Sequence, residues 1–228
     1  MPVRSEKETR YLANLCNLWL AFFNEQTFRP WGNKLRQRDN NSELQIIDAA
    51  GVETLLDQLA DAIGPHLSSS TALVGILRRG KPLADMLAKR LAGSQGLHPE
   101  VGMLELKRYS DSLELLYDRP HIQDDTIGID IEERHLILID DVLYTGESMF
   151  RAACRLRAGG ATHIQTAFLC ARPGLRMPLH ADFVGARFDI RPDWVIHCAI
   201  PPYEDHLGIV LAHQDALRNN GHDNQDIA

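Results

Sequence analysis

The sequence predicts an α/β protein: a central, mostly parallel sheet with crossover helices packed on its faces. Two observations carry this. Short apolar runs recur along the chain, TALVGIL at 71–77, HLILIDDVL at 135–143 and THIQTAFLC at 162–170. Segments of helical character, PLADMLAKRLA and ESMFRAACRLRA, follow the first two of these runs after tight turns. Strand, loop and helix alternating in this way imply parallel strands joined by crossover helices. The length of 228 residues fits one large domain with a small appendage, and an apolar share of 44% supplies a core.

Taken in order, residues 1–42 read as an N-terminal helical extension. Leu12, Leu15, Trp19 and Phe22 fall at helical spacing, and a polar stretch, FRPWGNKLRQRDNNS, follows. The run ELQIIDAAGVETLLDQLADAI predicts a helix, with Val52, Leu55, Leu56, Leu59 and Ile63 on one face and Gly64-Pro65 as its stop. TALVGIL is a near-continuous apolar run, as in a strand covered on both faces. The next helix carries Pro82 in its first turn. VGMLELKRY predicts a second strand, and the charged, aperiodic residues 110–130 a long loop. HLILIDDVL and THIQTAFLC are the third and fourth strands, and WVIHCAI at 194–200 a last one. The main domain is placed at 43–213, and 214–228 is a polar C-terminal tail.

The net charge of −7 argues against generic nucleic-acid binding, which needs a positive footprint. The stretch YLANLCNLWLAFF is too short to span a bilayer and is interrupted by Asn14 and Asn17, so no membrane partner is expected. An amphipathic helix there must cover its apolar stripe on the core or on a second subunit, and a homo-oligomer is expected. The four cysteines are far apart and form no CxxC pair, which predicts buried free thiols and a cytoplasmic protein. The ten histidines show no metal-ligand spacing.

The strongest signal is LILIDDVLYTGES, 136–148. An apolar strand delivers Asp140 and Asp141 to its carboxyl end, and a Thr-Gly turn then exposes backbone N–H groups at a helix start. Such a turn cradles a phosphate. The adjacent carboxylates accept hydrogen bonds from sugar hydroxyls or hold hydrated Mg²⁺. A sugar phosphate meets both needs. Arg78, Arg79 and Lys81, between strand and helix and flanked by Gly75 and Gly80, read as an anion-binding loop in which glycine permits close backbone approach.

These residues resemble the phosphoribosyl-pyrophosphate signature of type I phosphoribosyltransferases, and DDVLYTG is similar to the bifunctional pyrimidine-operon regulator / uracil phosphoribosyltransferase family. VGILRRGKPLA is similar to that family's pyrophosphate loop, LELKRYSDSL to the base of its flexible loop, and RPGLRMPLHADFVG to its hood. The resemblance implies a type I phosphoribosyltransferase fold with a flexible loop and a small hood, at about 171–205. It implies that Asp140 and Asp141 bind the ribose hydroxyls, directly or through Mg²⁺, and that Thr145, Gly146, Glu147 and Ser148 hold the 5-phosphate. Arg78, Arg79 and Gly80 take the pyrophosphate, with Arg79 stabilising its departure. Tyr144 and Arg172 stand near the base, and Phe183 and Val184 cover it.

The implied partners are phosphoribosyl pyrophosphate and a nucleobase, uracil being favoured by Arg172 and by Tyr144. Three departures stand beside this. Glu147 occupies a position that is usually basic in the family. FVGARFDIRPDWVIHCAI is similar to the hood of hypoxanthine-guanine phosphoribosyltransferases, and AIPPYED places prolines where that branch has an acidic metal ligand. A purine-specific enzyme, a pyrimidine-responsive RNA-binding regulator and a catalytically silent nucleotide-binding module are therefore the alternatives. RNA binding would require Arg172, Arg176, Arg187 and Arg191 to gather into one patch.

Overall fold

The computed structural model describes residues 43–76, 78–105 and 127–214. The N-terminal extension, the tail, most of the expected mobile loop, and Arg108, Tyr109 and Asp111 at its base lie outside these residues.

Strand β1 (Glu43–Ile47) precedes helix α1 (Ala49–Ile63). Strand β2 (Thr71–Ile76), helix α2 (Gly80–Gln95) and strand β3 (Glu100–Leu104) follow. Beyond the loop come β4 (His135–Leu143), α3 (Glu147–Ala158), β5 (His163–Ala171) and β6 (Phe183–Arg187). Two further strands, β7 (Trp194–Ala199) and β8 (Gly208–His213), are the last elements among the described residues.

The main sheet has five strands in the order β3-β2-β4-β5-β6, and every pairing in it is parallel. All residues of β2 are buried, as its unbroken apolar run requires of a strand covered on both faces. One core lies between the sheet, α1 and α2, with Leu56, Leu73, Leu83 and Ile137 at its centre. The other lies under α3 and joins Val74, Leu138, Met149 and Phe168. Each such side chain, withdrawn from water, contributes about 1.5–3 kcal/mol.

The expected helix over 43–63 divides in two. Residues 43–47 form β1, and Asp48 caps α1 by accepting a hydrogen bond from Gly51 N at 2.9 Å. β1 pairs antiparallel with β8, which also pairs antiparallel with β7, making a separate three-stranded sheet. This small sheet combines both ends of the domain and does not coincide with residues 171–205. WVIHCAI is thus a strand outside the parallel sheet, and β6 and β8 are strands that sequence periodicity did not reveal. Cys170 and Cys198 are free and buried, whereas Cys154 is disulfide-bonded, which corrects the expectation of free thiols throughout.

Candidate active site

From β2 the chain moves outward to the edge strand β3, then returns to β4 on the other side of β2 and continues to β5 and β6. The connections therefore diverge between the carboxyl ends of β2 and β4, which is where ligands enter an open parallel sheet. The loop Arg78–Gly80 leaves β2 there, and Asp140 and Asp141 stand at the end of β4.

Glycine is needed at this junction because backbone packs on backbone. A Cβ on Gly75 would stand 2.4 Å from the Gly80 carbonyl oxygen, and one on Gly80 would stand 2.3 Å from the Ile139 carbonyl oxygen. The sequence suggested that these glycines admit a ligand; in the structure they let the arginine loop lie directly on the strands beside the acidic pair.

Both carboxylates are half-buried. Asp140 Oδ1 accepts from Asp141 N at 3.0 Å, and Asp141 Oδ1 accepts from Val142 N at 2.9 Å. Burial and the neighbouring charge of Asp141 push the Asp140 carboxyl well above the usual carboxylate range, against the attraction of Arg79. Burial likewise raises Asp141, again opposed by Arg79. Two adjacent carboxylates that resist ionisation make a site short of positive charge.

Gly146 adopts φ 81° and begins α3 without a side-chain cap, so the first-turn amides of the helix face the loop. Glu147 N lies 3.5 Å from Thr145 Oγ1, and the Thr145 carbonyl accepts from Arg176 N at 3.0 Å, pinning the loop to the segment after β5. A Cβ on Gly146 would stand 2.7 Å from Leu175 Cδ1, so this segment also closes over the turn. Glu147 and Ser148 are both half-buried on the first turn. An acidic residue at a helix N-terminus interacts favourably with the dipole, and Glu147 stands in the first turn of α3.

Arg172, just past β5, is only 8% exposed. Its guanidinium donates to the Trp194 and Arg191 carbonyls and lies 4.3 Å from the centre of the Tyr144 ring, while Nε is buried without a hydrogen-bond partner. Arg172 thus ties the main sheet to the start of β7 and meets Tyr144. It contributes no surface charge, and Arg191 is paired with Asp193 at 3.0 Å, so these two do not extend a basic patch with Arg176 and Arg187.

Phe183 and Val184 both belong to β6, paired with Ala167 and Phe168, and alternate to opposite faces of the sheet. The Phe183 ring is buried in the α1 core, edge-on to His66 at 5.0 Å. A ring used in this way does not cover a base.

Glu204 was missed. It lies in the turn after β7, and its Oε1 accepts from Arg79 Nη2 at 2.5 Å and Nε at 3.2 Å. Burial pushes its carboxyl up, but the hydrogen bonds from Arg79 and from Ile200 N outweigh this and hold it below its usual value. The signal was present in AIPPYED, where an acidic pair follows the two prolines after the last predicted strand.

Fold and site together define a type I phosphoribosyltransferase. Residues 43–205 match the phosphoribosyl transferase domain family, and the chain belongs to that family. It is similar to the Bifunctional protein PyrR of Acetivibrio thermocellus, 39% identical over 144 residues, 62% of this chain and 78% of that protein. Its likeness to the Limosilactobacillus reuteri protein of the same name is 30% identity over 174 residues, 74% of this chain and 98% of the relative. The fold matches a hypoxanthine phosphoribosyl transferase of Trypanosoma cruzi with a TM-score of 0.63 at 14% identity, covering 81% of this chain and 98% of that one. A Staphylococcus aureus hypoxanthine phosphoribosyltransferase aligns with a TM-score of 0.55 at 17% identity, over 68% and 82% of the two chains.

Proposed function

We propose that this phosphoribosyltransferase moves the 5-phosphoribosyl group from phosphoribosyl pyrophosphate to uracil and releases pyrophosphate. The observation that carries the reading is the packing of the arginine loop on the strand that ends in the Asp140–Asp141 pair, at the switch point, with the Thr145–Ser148 turn following that strand. A 5-phosphate on the turn and a diphosphate against Arg78 and Arg79 place the ribose over the two carboxylates.

Among the described residues no group of three or more His, Cys, Asp or Glu is arranged to hold a metal ion. The pair Asp140 and Asp141 nevertheless fits Mg²⁺, because both are hard oxygen ligands in a site short of positive charge, and Mg²⁺ keeps waters and shares substrate phosphate oxygens. When bound, Mg²⁺ offsets the negative charge that develops on the departing diphosphate. Arg79 stabilises the same leaving group, and the two carboxylates favour the positive charge that grows on the sugar. The base nitrogen bonds to the anomeric carbon as the carbon–oxygen bond to diphosphate breaks, with its electron pair leaving on the diphosphate, and the proton on that nitrogen is released to water.

Uracil is supported by the resemblance in DDVLYTG and by the arginine at position 172, which meets the Tyr144 ring. Pyrophosphate release measured with uracil, hypoxanthine, guanine and xanthine tests the reading. Uracil alone is expected to support turnover; a purine preference would overturn the acceptor, and no release with any base would overturn the activity.

A further inference from the structure

Both arginines of the loop after β2 meet one turn of the small sheet. The Arg79 guanidinium is hydrogen-bonded to Glu204, with side chains 12% and 19% exposed, and the Arg78 guanidinium lies 5.9 Å from the centre of the Tyr203 ring. Glu204 is itself held: its Oε2 accepts from Ile200 N at 2.7 Å, and His197 Nε2 lies 3.7 Å from its Oε1.

The loop that carries Arg79 lies on the strand ending in Asp140 and Asp141, since a Cβ on Gly80 would stand 2.3 Å from the Ile139 carbonyl oxygen. Glu204 engages two nitrogens of the Arg79 guanidinium through Oε1 while its Oε2 is fixed on Ile200 N, so it sets where the guanidinium sits. Without the Glu204 charge the guanidinium loses this anchor, and with it the position from which it meets a diphosphate.

We propose that Glu204 is a positioning residue for diphosphate, holding the Arg79 guanidinium in place and fastening the arginine loop to the turn after β7. The inference rests on the reading of that loop as the diphosphate site. It assigns Glu204 no contact with substrate: the carboxylate acts through Arg79, whose planar donor set fixes the orientation of the whole guanidinium once one edge is engaged.

The test is a double-mutant cycle on the full chain, using Glu204→Gln, Arg79→Ala and the pair. Binding of inorganic diphosphate with Mg²⁺ and of ribose 5-phosphate is measured by calorimetry. Glu204→Gln is expected to weaken diphosphate binding about tenfold, the scale of one charge-assisted hydrogen bond, and to leave ribose 5-phosphate binding unchanged. In the Arg79→Ala background it should have no further effect. In turnover, the KM for phosphoribosyl pyrophosphate should rise more than kcat falls.

Unchanged or tighter diphosphate binding in Glu204→Gln overturns the proposal, as does an equal loss with Arg79 absent. Equal loss of ribose 5-phosphate binding overturns it too, since Glu204 would then support the whole site. If Arg79→Ala binds diphosphate like the wild type, the diphosphate reading of the loop fails and the inference falls with it. Glu204→Asp, which keeps the charge but shortens the reach, supplies the same readouts should the Gln variant not fold.

Discussion

The α-carbon of Gly80 lies against the backbone of Ile139, so closely that a methyl group at position 80 would stand 2.3 Å from the Ile139 carbonyl oxygen. The arginine loop and the strand bearing the acidic pair therefore share one backbone contact. Gly80→Ala must move one against the other, because the colliding atom is backbone and cannot rotate away. A loss of about 1–3 kcal/mol is expected, the usual scale of overpacking. Thermal melting should show the loss, and the KM for phosphoribosyl pyrophosphate should rise with it. An unaltered KM would show that the loop's position does not matter to the substrate.

Asp140→Asn with Asp141→Asn separates stability from function. Burial raises both carboxyls, and the charge of Asp141 raises Asp140 further, so the folded state holds these protons more tightly than the unfolded chain. Stability from this pair is present below the ordinary value of 3.8 and is lost as pH rises through the raised values. At neutral pH the ligand-free double variant should melt higher than the wild type, and added Mg²⁺ should stabilise only the wild type. Turnover should fall at least about a hundredfold, consistent with losing electrostatic stabilisation of the reacting groups. Full activity in the double variant would remove these residues from the site.

His135 gives the fold an acid limit far from this crevice. Burial and the neighbouring His163 hold its imidazole below the ordinary value of 6.5, with His66 acting in the same direction and Gln165 and Asp182 opposing. The unfolded chain thus binds a proton more readily. Stability is complete above about pH 6.5 and declines as pH falls from there toward the depressed value. His135→Asn, whose amide keeps a group near Thr71 Oγ1, should flatten the fall in melting temperature between about pH 7.5 and about pH 5.5. An unchanged slope would place the acid sensitivity elsewhere.

Arg172→Lys keeps the charge but cannot reach the Trp194 and Arg191 carbonyls while lying flat on Tyr144. It should cost about 1.5–3 kcal/mol, the range of a hydrogen bond to a charged group. Urea unfolding measures the loss, and the base panel should show weaker discrimination among acceptors. A stable variant with unaltered preference would mean that Arg172 neither ties β7 to the main sheet nor reads the base.

Much of the parallel sheet, and the Asp140–Ser148 segment, were legible from residues alone because their causes are local. An apolar run covered on both faces, a carboxylate pair ending it and a Thr-Gly turn opening a helix all lie within HLILIDDVLYTGES. What lay beyond reading were pairings between distant segments. Glu43–Ile47 carries no period that distinguishes it from the start of α1; it is a strand because β8 offers it an edge. Phe183 could have covered a base or filled a core, and the register of β6 on β5 put it in the core. Arg79 and Glu204, 125 residues apart, meet only because β7 returns the chain to the open end of the main sheet. Hydrophobic period and turn chemistry act within a few residues and so are written in the sequence. Charge pairing and strand edges depend on what the fold brings near, and tertiary structure alone decided them.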